Sequence, residues 1–398
     1  MRKATAYLFG DIVMKQIVVI MVMIAILSCS AYALGFAGNL SMLSVKDGFL
    51  FDGRNEIVLK GVNLGGWMIM ETWMSPVSDE NETMAYSDVI RILNRRFGVQ
   101  KATELIKEYE NNFITEKDFE RIKNLGFNCV RLPVWYRNFM TEDNRWQLNA
   151  RGFERIDWVI EQCRKNDLYV IIDMHGCPGG QSTNHSTGVI GQNRLYDSSF
   201  NIDAMEKLWV EIAKRYKNNP TIAAYDIMNE PFNNTEEPLA ESDIAIKETN
   251  AVYKKMISAI RRIDKKHIIT IEGIWTMDIL PDPKEQGWEN MMYQLHIYDE
   301  SQDMIDKRIE EFLETRDKYK VAVYAGEYNS KQNDAYAVKK YEENNISHTK
   351  WTYKTVGVNY DGWGIYNKDF EKVDINKDSF DKIKEAFSVE MLTENGFE

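Results

Sequence analysis

Two glutamates carry the clearest chemical signal in the sequence. Glu230 and Glu327 each follow a short apolar, β-branched run, in Asn229-Glu230-Pro231 and Gly326-Glu327-Tyr328. If both runs are strands of one barrel, both carboxyls point into one mouth. Two carboxylates across a cleft are the minimum set for glycoside hydrolysis. One protonates the leaving oxygen, and the other attacks the anomeric carbon or activates water. A lone glutamate on a strand is more often an ion-pair partner than a catalyst. Two at strand exits, one flanked by Asn and Pro, reverse that balance.

The other strand exits are polar and few in kind: Arg131-Leu132-Pro133, Asp173-Met174-His175-Gly176, His296-Ile297-Tyr298 and Trp351-Thr352-Tyr353-Lys354. An attacking carboxylate must stay ionised, so it wants Arg131 or a tyrosine hydroxyl nearby. An acid must hold its proton near neutral pH, so it wants a less polar, carboxylate-facing setting. Asn229 can hold a substrate 2-hydroxyl, and Trp351 offers a flat apolar face for a sugar ring. Taken singly, His175 and His296 read equally well as structural hydrogen-bonders, and Arg131 as a core ion pair. Asp173 reads as structural, facing the helix layer or bracing a loop. His267 starts a strand at the opposite rim and also reads as structural. Trp158, Trp209 and Met205 lie on helix faces as core.

These residues need a scaffold. Short β-branched runs recur at 58–64, 127–132, 169–174, 222–228, 267–272, 292–297, 321–325 and 347–353. Between them, apolar residues repeat at helical spacing, as in Ile202, Met205, Trp209, Ile212 and Tyr216, or Phe153, Ile156, Ile160 and Cys163. Phe380, Ile383 and Phe387 repeat in the same way after the eighth run. Thr115 is placed to cap a helix running through Phe119 and Ile122 to Gly126. Eight strands alternating with helices predict an α/β fold, a (β/α)8 TIM barrel. A doubly wound open sheet is the alternative, but no G-x-G-x-x-G follows the first strand. Residues 45–51 and the Asp52-Gly53 turn predict a short N-terminal β-hairpin plugging the barrel floor. Residues 75–112 predict a helical insertion after strand 1. Long loops are expected at 231–240 and 277–290, on the active face.

Composition narrows the function. The 398 residues are 44% hydrophobic and 28% charged, with 8 Pro and 23 Gly, a globular profile. A net charge of −12 without a basic block argues against nucleic acid as a partner. Arg2, Lys3 and Lys15, the apolar run 17–27 and Ala31-Tyr32-Ala33 form a secretory signal peptide over 1–33. Ile26-Leu27-Ser28-Cys29 loosely resembles a lipobox, so lipidation of Cys29 is the one route to a membrane. The expectation is a secreted protein, possibly held at the cell surface by such an anchor. Residues 34–398 then form a single catalytic domain, expected to act as a monomer. Cys129, Cys163 and Cys177 make no C-x-x-C motif and read as buried thiols. No cofactor or metal is expected.

In these motifs the chain resembles glycoside hydrolase family 5, over roughly residues 61–367. The resemblance implies a retaining (β/α)8 enzyme with Glu230 as acid/base and Glu327 as nucleophile. It implies Arg131 beside the nucleophile, His175 and Asn229 around the reacting sugar, His296 and Tyr298 bracketing the two glutamates, and Trp351 as platform. Gly61-Val62-Asn63-Leu64-Gly65-Gly66-Trp67, followed by Glu71, Trp73 and Pro76, is similar to the exo-β-1,3-glucanase branch. There the matching glutamate binds the terminal glucose, which implies that role for Glu71. His185-Ser186 departs from that branch, which carries Asp-Asn. Thr115-Glu116-Lys117-Asp118 through Pro133, and Trp351-Thr352-Tyr353-Lys354, are similar to the family's bacterial endoglucanases. The expected activity is therefore hydrolysis of β-glucans or their oligosaccharides, of endo-β-1,4 or exo-β-1,3 type, with β-mannan, xyloglucan or glycolipid glucosides as alternatives. Two other classes are a metal-dependent barrel hydrolase using His175, His296 and carboxylates, and a non-catalytic carbohydrate-binding barrel.

Overall fold

Strands too apolar to face water on either side must be covered on both, and a barrel ringed by helices does this. In the computed structural model, eight strands pair in parallel and close on themselves. The described residues are 40–388, other than 54, 80–83, 142, 144, 234–241, 358–361 and 369. The export signal read at 1–33, Cys29, and most of the loop at 231–240 lie outside them. No helix among the described residues is long and apolar enough to cross a membrane.

The first three strands, β1 (Leu43–Lys46), β2 (Phe49–Asp52) and β3 (Asn55–Ile57), form an antiparallel sheet. The expected hairpin therefore has a third strand, because Asp47-Gly48 makes one turn and Asp52-Gly53 the next. Leu43, Leu50 and Leu59 pack with Cys129, Tyr169, Ile171 and Tyr324, plugging the N-terminal end of the barrel. The barrel strands are β4 (Lys60–Asn63), β5 (Cys129–Trp135), β6 (Tyr169–Gly176), β7 (Ile222–Asp226), β8 (Ile268–Glu272), β9 (Met291–Ile297), β10 (Ala322–Tyr328) and β11 (Ser347–Lys350). From β5 to β11 every strand residue is buried.

Helices cover the outside. Ser199–Tyr216 buries Met205, Leu208, Trp209 and Ile212, and Ala150–Lys165 buries Phe153, Ile156 and Cys163. Glu116–Asn124 begins after an extended Thr115, whose N–H donates to the Asp118 carboxylate at 2.7 Å. The insertion after β4 is the helix Tyr86–Phe113, broken at Gly98, whose φ of +78° favours glycine. The C-terminal helix Phe380–Ser388 packs along it through Phe97–Phe380 and Tyr109–Phe387 ring contacts. Two further short strands, β12 (Lys354–Val356) and β13 (Tyr366–Lys368), pair beside the mouth. Cys129, Cys163 and Cys177 are buried and free.

Strand ends differ from the sequence reading. β5 does not stop at Pro133 but runs to Trp135, so Arg131 sits mid-strand, below the rim. β7 stops at Asp226, which leaves Glu230 in the turn beyond it. β11 is three residues shorter than expected, and Trp351 follows it directly.

Candidate functional site

Arg131 is the hub. It is fully buried, and its fork reaches four strands. Nε donates to Asp226 Oδ2 at 2.8 Å, Nη1 to Glu327 Oε1 at 2.7 Å and to Asn63 Oδ1 at 3.1 Å, and Nη2 to Asn229 Oδ1 at 2.8 Å. Asp173 Oδ2 lies 3.1 Å from Nη2. Only a planar five-donor group can serve such a set. Asp173 thus faces the barrel interior, not the helix layer, which corrects one of its two expected placements. It shares a strand face with His175, two residues on, and pairs with His175 Nδ1 at 2.7 Å.

Glu327 reaches the mouth through an irregularity. The pairing of β10 slips between Ala325 and Glu327, a bulge that re-aims the side chain. Gly326 is needed there, since a Cβ would fall 2.0 Å from Gln294 Oε1. Glu327 Oε2 then accepts from the Tyr298 hydroxyl at 2.5 Å. Glu230 sits with φ +40°, an uncommon conformation for a non-glycine residue. Its Oε2 accepts from Asn233 Nδ2 at 2.7 Å, and its Oε1 pairs with His296 Nδ1 at 2.8 Å.

His296 Nδ1 also lies 3.4 Å from Glu327 Oε2. Because one nitrogen is near both, the two facing carboxylate oxygens stand no more than about 6 Å apart. Retaining glycosidases hold their carboxyls about 5–5.5 Å apart, and inverting ones about 6.5–9.5 Å.

A cavity of about 310 Å³ opens over the pair. That is the low end for ligand sites, room for a sugar or two rather than a long chain. Trp351 closes one side, stacked on His175 with ring centres 5.3 Å apart. Glu71 is buried at another side, accepting from Trp73 Nε1 at 2.9 Å, with His185 Nε2 at 3.2 Å. Glu71 Oε1 has no hydrogen-bond partner among the described residues. Trp363 packs edge-on against Trp73 and beside Tyr298, and Trp275 and Asn233 complete the wall. A larger groove of about 1010 Å³ lies between the helices Tyr86–Phe113 and Ala150–Lys165. It contains none of these residues, and Glu110 already pairs with its Arg151.

The charges do not sit as the sequence reading expected. Burial works to raise the Glu230 pKa, but the hydrogen bond and charge of His296, with Asn233, pull it below the usual carboxylate range. Burial opposes charge on His296, yet Glu272, Glu327 and Glu230 around it raise its pKa to about 9. These shifts favour the proton on His296 and an ionised Glu230, because the imidazole stands between carboxylates. Burial likewise opposes charge on His175, and Asp173 outweighs it. Glu230, Glu272 and His296 each bring one donor atom within 4.8 Å of the others, a spacing a metal ion could use. His296 Nδ1 already pairs with Glu230 Oε1, so an ion there would have to displace that contact and the proton it shares.

All nine residues singled out in the sequence — Glu71, Arg131, His175, Asn229, Glu230, His296, Tyr298, Glu327 and Trp351 — surround this cavity or its floor. The sequence reading missed Glu272, Asp226, Asn233, Trp275 and Trp363 as site members, and marked His185 only as a departure from the exo-β-1,3-glucanase branch. Glu272 ends β8, the same signal that exposed the other two glutamates. Trp363 had no such signal, since it follows the last barrel strand in a stretch without periodicity.

Comparison with known proteins bears on the family and the fold. The family model described as cellulase (glycosyl hydrolase family 5) matches residues 94–369. A β-xylosidase of Phanerodontia chrysosporium is 32% identical over 249 residues, covering 61% of this chain and 49% of that protein. A probable glucan 1,3-beta-glucosidase A of Emericella nidulans is 27% identical over 252 residues, covering 61% and 57%. The chain thus spans about half the length of the curated relatives it matches. Among solved structures, rutinosidase from Aspergillus niger superposes with a TM-score of 0.61 at 15% identity, covering 83% of this chain and 98% of that one. Endoglucanase Cel5A from Thermotoga maritima gives 0.52 at 22%, covering 83% and 96%. At these identities the structures attest the barrel alone.

Proposed function

The chain belongs to glycosyl hydrolase family 5, and we propose that it cleaves β-glucosidic bonds of β-glucans or their oligosaccharides by double displacement, outside the cytoplasm. The observation that carries this reading is the single His296 nitrogen lying against both Glu230 and Glu327. Facing oxygens no more than about 6 Å apart lie below the inverting range, which supports direct attack by one carboxylate. Glu327 is the nucleophile: its charge is paired with Arg131, and the Tyr298 hydroxyl aims the oxygen. Glu230 delivers a proton to the leaving oxygen and afterwards takes one from water. Asn229, held by Arg131, meets the 2-hydroxyl. Trp351 carries the ring, and the open lone pairs of Glu71 take hydroxyls of the terminal sugar. The small cavity walled by Glu71, Trp73 and Trp363 supports removal of single terminal glucosyl units.

The test is product analysis on laminarin, mixed-linkage glucan, carboxymethylcellulose, mannan, xyloglucan and an aryl β-xyloside. Glucose from the earliest time point, first released as the β-anomer, is expected. An α-anomer first would overturn double displacement, and a ladder of oligosaccharides would overturn terminal attack.

A further inference from the structure

A third glutamate stands beside the catalytic pair. Glu272 ends β8 with its side chain fully buried. Its Oε2 accepts the backbone N–H of Glu230 at 2.7 Å, and so holds the residue whose φ is +40°. Its Oε1 lies 3.4 Å from His296 Nδ1 and has no hydrogen-bond partner among the described residues. From the helix Asp243–Arg261, the Tyr253 hydroxyl donates to Glu272 O at 2.9 Å and accepts from Glu272 N at 3.2 Å, fixing the backbone.

Three carboxyls thus converge on one ring nitrogen. The charged groups facing Glu272 are His296 from β9, Glu230 from the turn after β7, Asp226 from β7 and, across His296, Glu327 from β10. Arg131 pairs with Glu327 and Asp226. That leaves the His296 imidazolium as the cation nearest to Glu230 and Glu272 together, with His175 acting on Glu230 from farther off and Glu272 itself shut from water. Two like charges so placed cannot both be met, and one carboxyl keeps a proton. Glu230 accepts from Asn233 and His296, whereas Glu272 Oε1 accepts from nothing, so the proton belongs on Glu272. Burial, reinforced by the Glu230 and Asp226 charges against the opposing pull of His296, raises the Glu272 pKa well above the carboxylate range.

We propose that Glu272 is a positioning residue that stores the proton with which Glu230 is loaded when a glycoside enters. The transfer balances without any other reactant. Nδ1 of His296 gives its proton to Glu230 Oε1 and takes the proton of Glu272 Oε1. Glu230 ends neutral, His296 unchanged, and Glu272 ionised beside the imidazolium. When a water later attacks the glycosyl-enzyme, Glu230 takes its proton and the steps reverse. The proposal rests on Glu230 being the acid/base.

The test is Glu272→Gln, which keeps the shape and an acceptor for the Glu230 N–H but holds no transferable proton. Phenyl β-glucoside needs an acid to leave, and 2,4-dinitrophenyl β-glucoside does not. For the phenyl substrate kcat/KM is expected to fall about 10- to 100-fold, within the range that general acid catalysis supplies, with a displaced pH profile. For the dinitrophenyl substrate it should stay within about twofold. Equal losses on both substrates with an unmoved pH profile would mean a structural role only and overturn the proposal. Glu230→Gln, run alongside, separates the two failures, since full phenyl glucosidase activity there defeats the acid/base assignment itself. Should Glu272→Gln not fold, infrared spectra of the wild-type enzyme at about pH 8 decide, where ordinary carboxyls are ionised. A protonated, buried carboxyl band is expected, and its absence overturns the proposal.

Discussion

Arg131 and Glu327 lie 196 residues apart in the chain, and the guanidinium donates to the carboxylate at 2.7 Å inside the barrel. The same cation holds Asp226, Asn229 and Asn63. Arg131→Lys keeps the charge but has no planar fork, so at least two buried acceptors lose their donor. Breaking a buried ion network costs about 3–5 kcal/mol. We expect a clearly lower midpoint in thermal or denaturant unfolding, and at least about a hundredfold loss of kcat/KM. Unchanged melting would show that the network bears no stability.

The two proposed catalytic carboxyls have separable signatures. Glu230→Ala should lose about 10²–10⁴-fold on substrates with poor leaving groups, the range of general acid–base catalysis. On 2,4-dinitrophenyl β-glucoside, which needs no acid to leave, it should be rescued by azide, giving a β-glycosyl azide from the intact glycosyl-enzyme. Glu327→Ala should lose at least as much on every substrate, and any azide product should be the α-anomer. Analysis of the azide adducts by NMR checks both, and swapped anomers would exchange the two assignments.

Trp363 meets Trp73 at 5.4 Å and Tyr298 at 5.6 Å between ring centres, and it walls the cavity. An aromatic contact of this kind is worth about 0.5–1.5 kcal/mol beyond burial. Trp363→Ala is therefore expected to raise KM for a glucosyl disaccharide up to about tenfold, with kcat changed little. The opened wall should also admit longer chains, so the early products from laminarin should include oligosaccharides. Steady-state kinetics and product chromatography read both effects.

Acid stability should trace to His348. It is buried in β11 between Tyr328 and Tyr341, and neither ring nitrogen has a hydrogen-bond partner among the described residues. Burial, with the Lys60 charge, lowers its pKa to about 3. A group depressed in the folded state binds its proton more readily when unfolded. Its contribution is therefore intact above about pH 6.5, the free histidine value, and is lost towards pH 3 at about 1.4 kcal/mol per unit. His348→Phe should flatten that acid slope in denaturation curves taken between pH 4 and 7. His296 works in the opposite sense: its raised pKa makes its contribution intact below about pH 6.5 and lost as pH approaches 9.

The barrel was legible because its strands are buried on both faces. Runs such as Tyr169-Val170-Ile171-Ile172 have no polar alternation to mistake for an edge strand. The site residues were legible wherever they ended such a run. What could not be read was set by three-dimensional neighbours. Asp173 looked outward or loop-bound until its partner Arg131 was seen to lie inside. Glu230 was expected to hold a proton, and only the placement of His296 accounts for a pKa lowered below the carboxylate range. Glu272 was readable and was passed over, because a third carboxyl has no place in a two-carboxylate scheme. Trp363 comes from a loop, where no periodicity ties sequence to position, and His185, also in a loop, stood out only by resemblance.

Asn63 gives the molecule a sense of time. Its Nδ2 donates to Gly326 O, Thr349 O and Lys350 O, while its Oδ1 steadies Arg131. It stands at the seam where the first barrel strand meets the last. A chain is made from its N-terminus, so β11 and Trp351 are the last parts of the barrel to emerge. Until they dock, Asn63 and the Arg131 it steadies have a loose anchor, and Trp351 has not yet stacked on His175. An unfinished chain thus carries most of the proposed machinery without a complete face, which is assembled only when the ring has closed.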